Sequence, residues 1–236
     1  AQLLHHAVSS LAASEVVWRR LVESRWPLVT APQQGWRALH LERARLPRWQ
    51  HLFVRMDEVE GLLAAAGVGT IGIIDNDIVE LSNLQRQIVH TTDRIGSTKA
   101  ESTKEMVAAL NPNITVTVHA ERLTAENARN IISGYDFVAD GSDNFATRFL
   151  INDACYFFGK TLVSAAILRF DGQLSTFKAH GRTDREQDPC YRCLFPAAPP
   201  PDSVPTCAEA GVLGALCGVL GSLQAAELLK EITGAG

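Results

Sequence analysis

Cys190-Tyr191-Arg192-Cys193 has the spacing at which two thiolates of a tight turn reach one zinc ion. Cys207 stands alone in Thr206-Cys207-Ala208-Glu209-Ala210-Gly211-Val212, ahead of an apolar helical pattern whose N-terminal dipole favours a thiolate. A second, polar cluster lies upstream. It runs from Asp75-Asn76-Asp77 through Ser82-Asn83-Leu84-Gln85-Arg86-Gln87 and Gly96-Ser97-Thr98-Lys99 to Ser142-Asp143-Asn144. Arginine offers a planar fork and lysine a point charge, so Arg86 and Lys99 can clamp different oxygens of one anion. Asp143 is a hard carboxylate of the kind that suits Mg²⁺. Each has a plainer reading: solvated surface for the two cations, a helix N-cap for Asp143, a turn aspartate for Asp75, and an empty cysteine pair.

These residues must be set at the ends of regular elements. His51 to Arg55 reads as a short strand, and Asp57-Glu58-Val59-Glu60 as a capping box opening a helix through Ala66. Isoleucine-rich Thr70 to Ile74 is a strand ended by Asp75. A helix from Lys99 to Leu110 closes at Asn111-Pro112, and Ile114 to His119 is a strand. Ala125 to Ile132 is helical, Phe137 to Asp140 a strand, and Phe145 to Phe158 helical. Thr161 to Ala166 and Gln173 to Lys178 are strands, residues 181 to 205 a proline-rich loop, and Val212 to Ile232 the last helix. Such alternation specifies an α/β fold: a doubly wound, mostly parallel, Rossmann-like sheet. Asp75 and Asp143 then fall at carboxyl ends of strands, where open α/β sheets bind ligands.

Composition narrows the classes. The 236 residues are 46% hydrophobic and 20% charged, enough for one sizeable core, and the net charge of −4 gives no attraction to nucleic acid or anionic lipid. Five cysteines without disulfide-scaffold spacing or a signal peptide fit a reducing cytoplasm. Residues 211 to 226 carry no charge but hold four glycines, Ser222 and Gln224, so they read as a buried core helix and not a membrane span. The first 58 residues differ in kind. They hold all four tryptophans, eight arginines, no lysine and five acids, with a helical pattern at Ser14 to Trp26. Residues 1 to 50 are therefore an atypical N-terminal segment ahead of a domain over 51 to 236.

Gly67-Val68-Gly69-Thr70-Ile71-Gly72 matches the dinucleotide-binding pattern letter for letter. That fingerprint needs a strand before it and a helix after it, and here the order is reversed. The segment is instead a turn entering a strand.

The ordered motifs between residues 60 and 233 resemble the MoeB/ThiF/HesA family of ubiquitin-activating-like adenylyltransferases, closest to the molybdopterin-synthase type. The resemblance implies ATP-dependent adenylation of the C-terminal glycine of a ubiquitin-like sulfur-carrier protein, of molybdenum-cofactor or thiamine type, by a cytoplasmic homodimer. It assigns Asp75 to the ribose, Arg86 and Lys99 to the phosphates, and Asn83, Gln87 and Asn144 to nucleotide orientation. Asp143 becomes essential and linked to Mg²⁺. Cys207 matches the cysteine that bonds to the carrier in some members and is dispensable in others. Zn²⁺ at Cys190 and Cys193 requires two further ligands, for which a partner chain or His180 is available.

Two departures matter. The family opens with a strand, a G-x-G-G-x-G loop and a long helix, and nothing between Ala1 and Ala66 matches them. The lost strand is central, so something must replace it, and His51 to Arg55 with a 14-residue crossover over 56 to 69 is long enough. Its turn, Met56-Asp57, has no glycine and an anionic side chain. The alternative function is thus a carrier-binding module with impaired nucleotide binding.

Overall fold

The computed structural model describes residues 59–180, 188–200 and 211–235, and the backbone of 50–54. The helical pattern at Ser14 to Trp26, the tryptophans, the cap at Asp57, the turn at Met56-Asp57 and Cys207 lie outside the described residues.

The elements are β1 (Gln50–Val54), α1 (Val59–Ala66), β2 (Thr70–Ile74), α2 (Lys99–Leu110), β3 (Thr115–His119), α3 (Ala125–Ile132) and β4 (Phe137–Asp140). There follow α4 (Phe145–Phe158), β5 (Thr161–Leu168), β6 (Asp171–Phe177), the single turn α5 (Tyr191–Leu194) and α6 (Gly214–Thr233). They form one six-stranded sheet in the order β3-β2-β1-β4-β5-β6. All neighbours are parallel except the β5–β6 hairpin. β1 therefore takes the central place, with Leu52 opposite Gly72 on one side and Val138 on the other. The replacement strand expected from the sequence is present, one residue earlier than expected at each end.

Side-chain alternation divides the core. Ile71 and Ile73 of β2, Ala139 of β4 and Val163 of β5 join Val59, Leu63, Val107, Leu228 and Ile232 on the face covered by α1, α2 and α6. Val138 and Leu162, one residue out of phase, join Ile131, Ile132, Phe149, Ile151 and Tyr191 on the face of α3, α4 and α5. The switch of strand order between β1 and β4 opens the crevice where such folds bind ligands.

The Gly67–Gly72 segment follows helix and enters strand, as its local order requires. Gly67 has φ 87° and ends α1, with Val68 N–H donating to the Leu63 carbonyl at 3.0 Å. Gly72 is a packing glycine: an added Cβ would lie 2.3 Å from Tyr135 Cζ.

The β5 and β6 strands run further than expected, to Leu168 and from Asp171, because Arg169 turns the chain with φ 56°. The last helix also departs from expectation. Leu220, Gln224, Leu228 and Ile232 face the sheet at helical spacing, whereas Val219 and Leu223 are 39% and 51% exposed. The helix is buried along one face only, and its Cys217 is half-buried, whereas Cys155 of α4 is buried.

Candidate functional site

Asp75 directly follows β2 and is buried; its Oδ1 accepts the Asp77 amide at 2.8 Å, which fixes the turn out of the strand. The turn role and a place at the ligand edge therefore coexist. Residues 77–79 then lie against 97–99, with an Ile78–Thr98 bridge and Val79 N–H donating to the Ser97 carbonyl at 2.8 Å. This pairing brings Lys99 to Asp77. Lys99 N–H donates to the Asp77 carbonyl at 2.9 Å and Nζ lies 3.3 Å from Asp77 Oδ2, with the lysine itself only 8% exposed. Lys99 is the first residue of α2, set there by the Thr98 cap, whose hydroxyl accepts the Glu101 amide.

Between these paired segments the chain makes a 3₁₀ turn at Leu81–Asn83. Asn83 is buried and its Oδ1 accepts the Glu80 amide at 2.9 Å, so it holds its own turn. Arg86 donates from Nη1 to the Ser82 carbonyl at 3.1 Å. Gln87 is buried, and its Oε1 has no hydrogen-bond partner among the described residues. An orphaned buried amide is a group that a ligand would satisfy. The first residue of α6, Gly214, presses on this turn: an added Cβ would lie 2.3 Å from the Gln85 carbonyl.

On the other side of the switch point, α4 starts at Phe145 with Asn144 as its cap, the Asn144 Oδ1 accepting the Thr147 amide at 2.9 Å. The cap is Asn144 and not Asp143, and Asp143 is exposed.

A cleft of about 240 Å³ lies at the carboxyl ends of β2, β3 and β4, lined by Asp75, Asn76, Asp77, Arg122, Ser142 and Asn144 among others. Asp75 and Asn144 meet there. Lys99 is joined to its rim through Asp77, and Asp143 lies between two lining residues. Arg86, Asn83 and Gln87 sit on the neighbouring turn, outside the lining. Asp143 fits Mg²⁺, which takes one or two carboxylates and completes its octahedron with water and substrate phosphates.

Cys190 and Cys193 face each other at 3.8 Å across the turn of α5. Burial raises the Cys190 thiol pKa, but hydrogen bonds from the Cys193 backbone and thiol, the Arg192 backbone and Asn152 leave it below the ordinary thiol value. The turn is fixed to α4: the buried Asn152 accepts the Tyr191 amide at 2.8 Å, and Arg192 forms a fork to Asp153 at 2.6 and 2.7 Å. Among the described residues no group of three or more His, Cys, Asp or Glu side chains is placed to hold a metal. His180 therefore does not complete this pair. It lies beside Gly159, and the described donors supply half of a tetrahedral zinc site.

Residues 58–236 match the ThiF family. The chain belongs to the ThiF family. Among its relatives, a sulfur carrier protein adenylyltransferase of Thermus thermophilus is 52% identical over 174 residues, covering 74% of this chain and 64% of the relative. A SAMP-activating enzyme E1 of Haloferax volcanii is 48% identical over 174 residues, covering 74% and 62%. The chain thus spans less than two thirds of the length of these relatives. The fold of this ThiF-family chain is that of E. coli MccB, crystallised with MccA-N7isoASN: TM-score 0.70 at 21% identity, over 83% of this chain and 60% of MccB. The family match begins at residue 58, so the central strand β1 is drawn from sequence ahead of it.

Sequence reasoning missed Asp140 and Asn152. Both are buried side chains that fix loops through partners distant in the chain.

Proposed function

We propose that this ThiF-family chain adenylates the C-terminal carboxylate of a ubiquitin-like sulfur carrier with Mg-ATP. The observation that carries this is the cleft at the carboxyl ends of β2, β3 and β4, where Asp75 and Asn144 meet and whose rim joins Lys99. Asp75 accepts ribose hydroxyls; Asn83, Gln87 and Asn144 orient the nucleotide. A carrier carboxylate oxygen forms a bond to the α-phosphorus, the bond to pyrophosphate breaks, and an acyl adenylate and pyrophosphate result. Negative charge develops on the phosphate oxygens, and Arg86 and Lys99 are the fixed cations that meet it. Asp143 would hold Mg²⁺, which would neutralise triphosphate charge. Cys207 is the thiol available for a later bond to the carrier, and the carrier belongs to molybdenum-cofactor or thiamine-type sulfur transfer.

The described cysteines are free thiols, and no helix among the described residues is long and apolar enough to cross a membrane. Both features agree with a cytoplasmic reaction. Assembly as a homodimer belongs to the same reading, with Leu81 and Ile88, 70% and 69% exposed, as apolar surface available to it.

A second reading has one specific support: residues 55–58, Arg55-Met56-Asp57-Glu58, follow the central strand without a glycine, where a phosphate-binding turn needs close backbone approach. The chain would then bind a carrier without using ATP. Calorimetry separates the two. Tight Mg-ATP binding supports the adenylating enzyme, whereas micromolar carrier binding with no ATP affinity supports the binding module.

A further inference from the structure

The loop that carries Asp143 is held from beneath by a buried carboxylate. Asp140 ends β4 and is 1% exposed. Its Oδ1 accepts both the amide and the hydroxyl of Ser142, at 2.9 and 2.7 Å, and its Oδ2 accepts the Ser164 hydroxyl at 2.9 Å. Its backbone carbonyl accepts the Gln224 amide at 3.0 Å, which also reaches the Val163 carbonyl at 2.8 Å. The Ser142 carbonyl in turn accepts from the Arg148 guanidinium. Every polar atom of Ser142 is thus engaged, and the serine is itself 1% exposed.

Burying a carboxylate is costly, and the donors that meet this one are neutral. A sheet end that needed only packing would be better served by an apolar residue. What the carboxylate fixes is the path of the next residues. Ser142 is fixed on one side of Asp143, and on the other Asn144 is committed to capping α4. Asp143 is the exposed residue between two fixed points. We propose that Asp140 is a positioning residue: through Ser142 it sets where the Asp143 carboxylate stands at the cleft. This rests on the adenylation proposal, in which Asp143 acts at the nucleotide. A displacement of about 1 Å in such a group can cost on the order of 10²-fold in rate.

The test uses the full chain and two readouts. Asp140→Asn keeps an oxygen for Ser142 and can donate to Ser164, whose hydroxyl turns to accept; Asp140→Ala keeps neither. Amide hydrogen exchange at Ser142, measured without nucleotide, should be like the parent in Asp140→Asn and at least about tenfold faster in Asp140→Ala. Carrier adenylation should stay within about threefold in the first and fall about thirtyfold or more in kcat in the second, with the half-saturating Mg²⁺ concentration raised. If Asp140→Ala does not fold, Ser142→Ala removes only one strut. It should speed exchange at residue 142 and lower kcat several-fold while the melting temperature stays within a few degrees. Parent-like exchange and rate in Asp140→Ala or Ser142→Ala would overturn the proposal. So would an Asp140→Asn variant as inactive as Asp140→Ala, which would mean that the charge itself does the work. If the parent chain adenylates nothing, the exchange data still decide the positioning role, and the adenylation reading is what has failed.

Discussion

His90 should make this protein acid-sensitive, and the size of the effect follows from its surroundings. The imidazole is 5% exposed and its Nδ1 lies 2.9 Å from Ser102 Oγ on α2. Burial, then the Lys99 charge, then the Arg94 charge push its pKa from 6.5 down to about 4. Well above pH 6.5 neither the native nor the unfolded chain holds a proton on this ring, and it contributes nothing to pH dependence there. As pH falls from 6.5 towards 4 the unfolded chain binds a proton that the native state refuses, so stability is lost progressively through that window. The full gap corresponds to about 3 kcal/mol. The Ser102 hydroxyl can turn to accept from an imidazolium and water can enter, so about 1–2 kcal/mol is the expected loss. The assay is urea unfolding of parent and His90→Asn at pH 7.5 and pH 4.5. The other histidines cancel in the difference, and the gap between the two proteins should close by about 1–2 kcal/mol, or reverse, at the lower pH. A difference independent of pH would refute the placement of a neutral imidazole against Lys99.

Arg86→Ala and Asp143→Ala should each lower carrier adenylation by about 10²-fold or more with folding intact, the scale for one preorganised electrostatic group; equal pyrophosphate exchange in variant and parent would show that the site lies elsewhere. Zinc held by Cys190 and Cys193 should be substoichiometric by metal analysis and lost to a chelator with little change in melting temperature, since two thiolates supply half a site. One tight zinc per chain with unfolding on chelation would contradict that. Gly72→Ala should destabilise by about 2–3 kcal/mol in urea melts, because its Cβ meets the Tyr135 ring, and Tyr135→Leu should relieve most of the cost.

Local signals were legible where they closed on themselves. The spans of α2, α3 and α4 were readable from residue pattern, and the structure adds the caps that fix them, each bonding within one turn: Thr98, the box formed by Thr124 and Asn127, and Asn144 where Asp143 was expected. The central strand was readable from the need to fill a sheet as much as from its residues. What was not legible depends on distant partners. Asp140 looks like any acid at a strand end, and its role appears only when Ser164 and Gln224 arrive 24 and 84 residues later. The one signal in the sequence is a serine two residues after the acid, a pattern for a side chain that bonds its own turn. The uncharged run 211–226 misled for a related reason: composition reports that a helix can be buried, and only packing decides along which face. Likewise His180 was a plausible zinc ligand by residue type, but the fold sets it beside Gly159 and not in a ligand group with Cys190 and Cys193.

Carrier-dependent exchange of labelled pyrophosphate into ATP tests the central claim most directly. With purified chain, Mg²⁺ and a ubiquitin-like sulfur carrier ending in a free glycine carboxylate, exchange should appear, should require the carrier, and should vanish when the terminal glycine is removed. Absence of exchange with any such carrier, in folded protein that still binds the carrier, would contradict the account and leave a binding module on an adenylyltransferase fold.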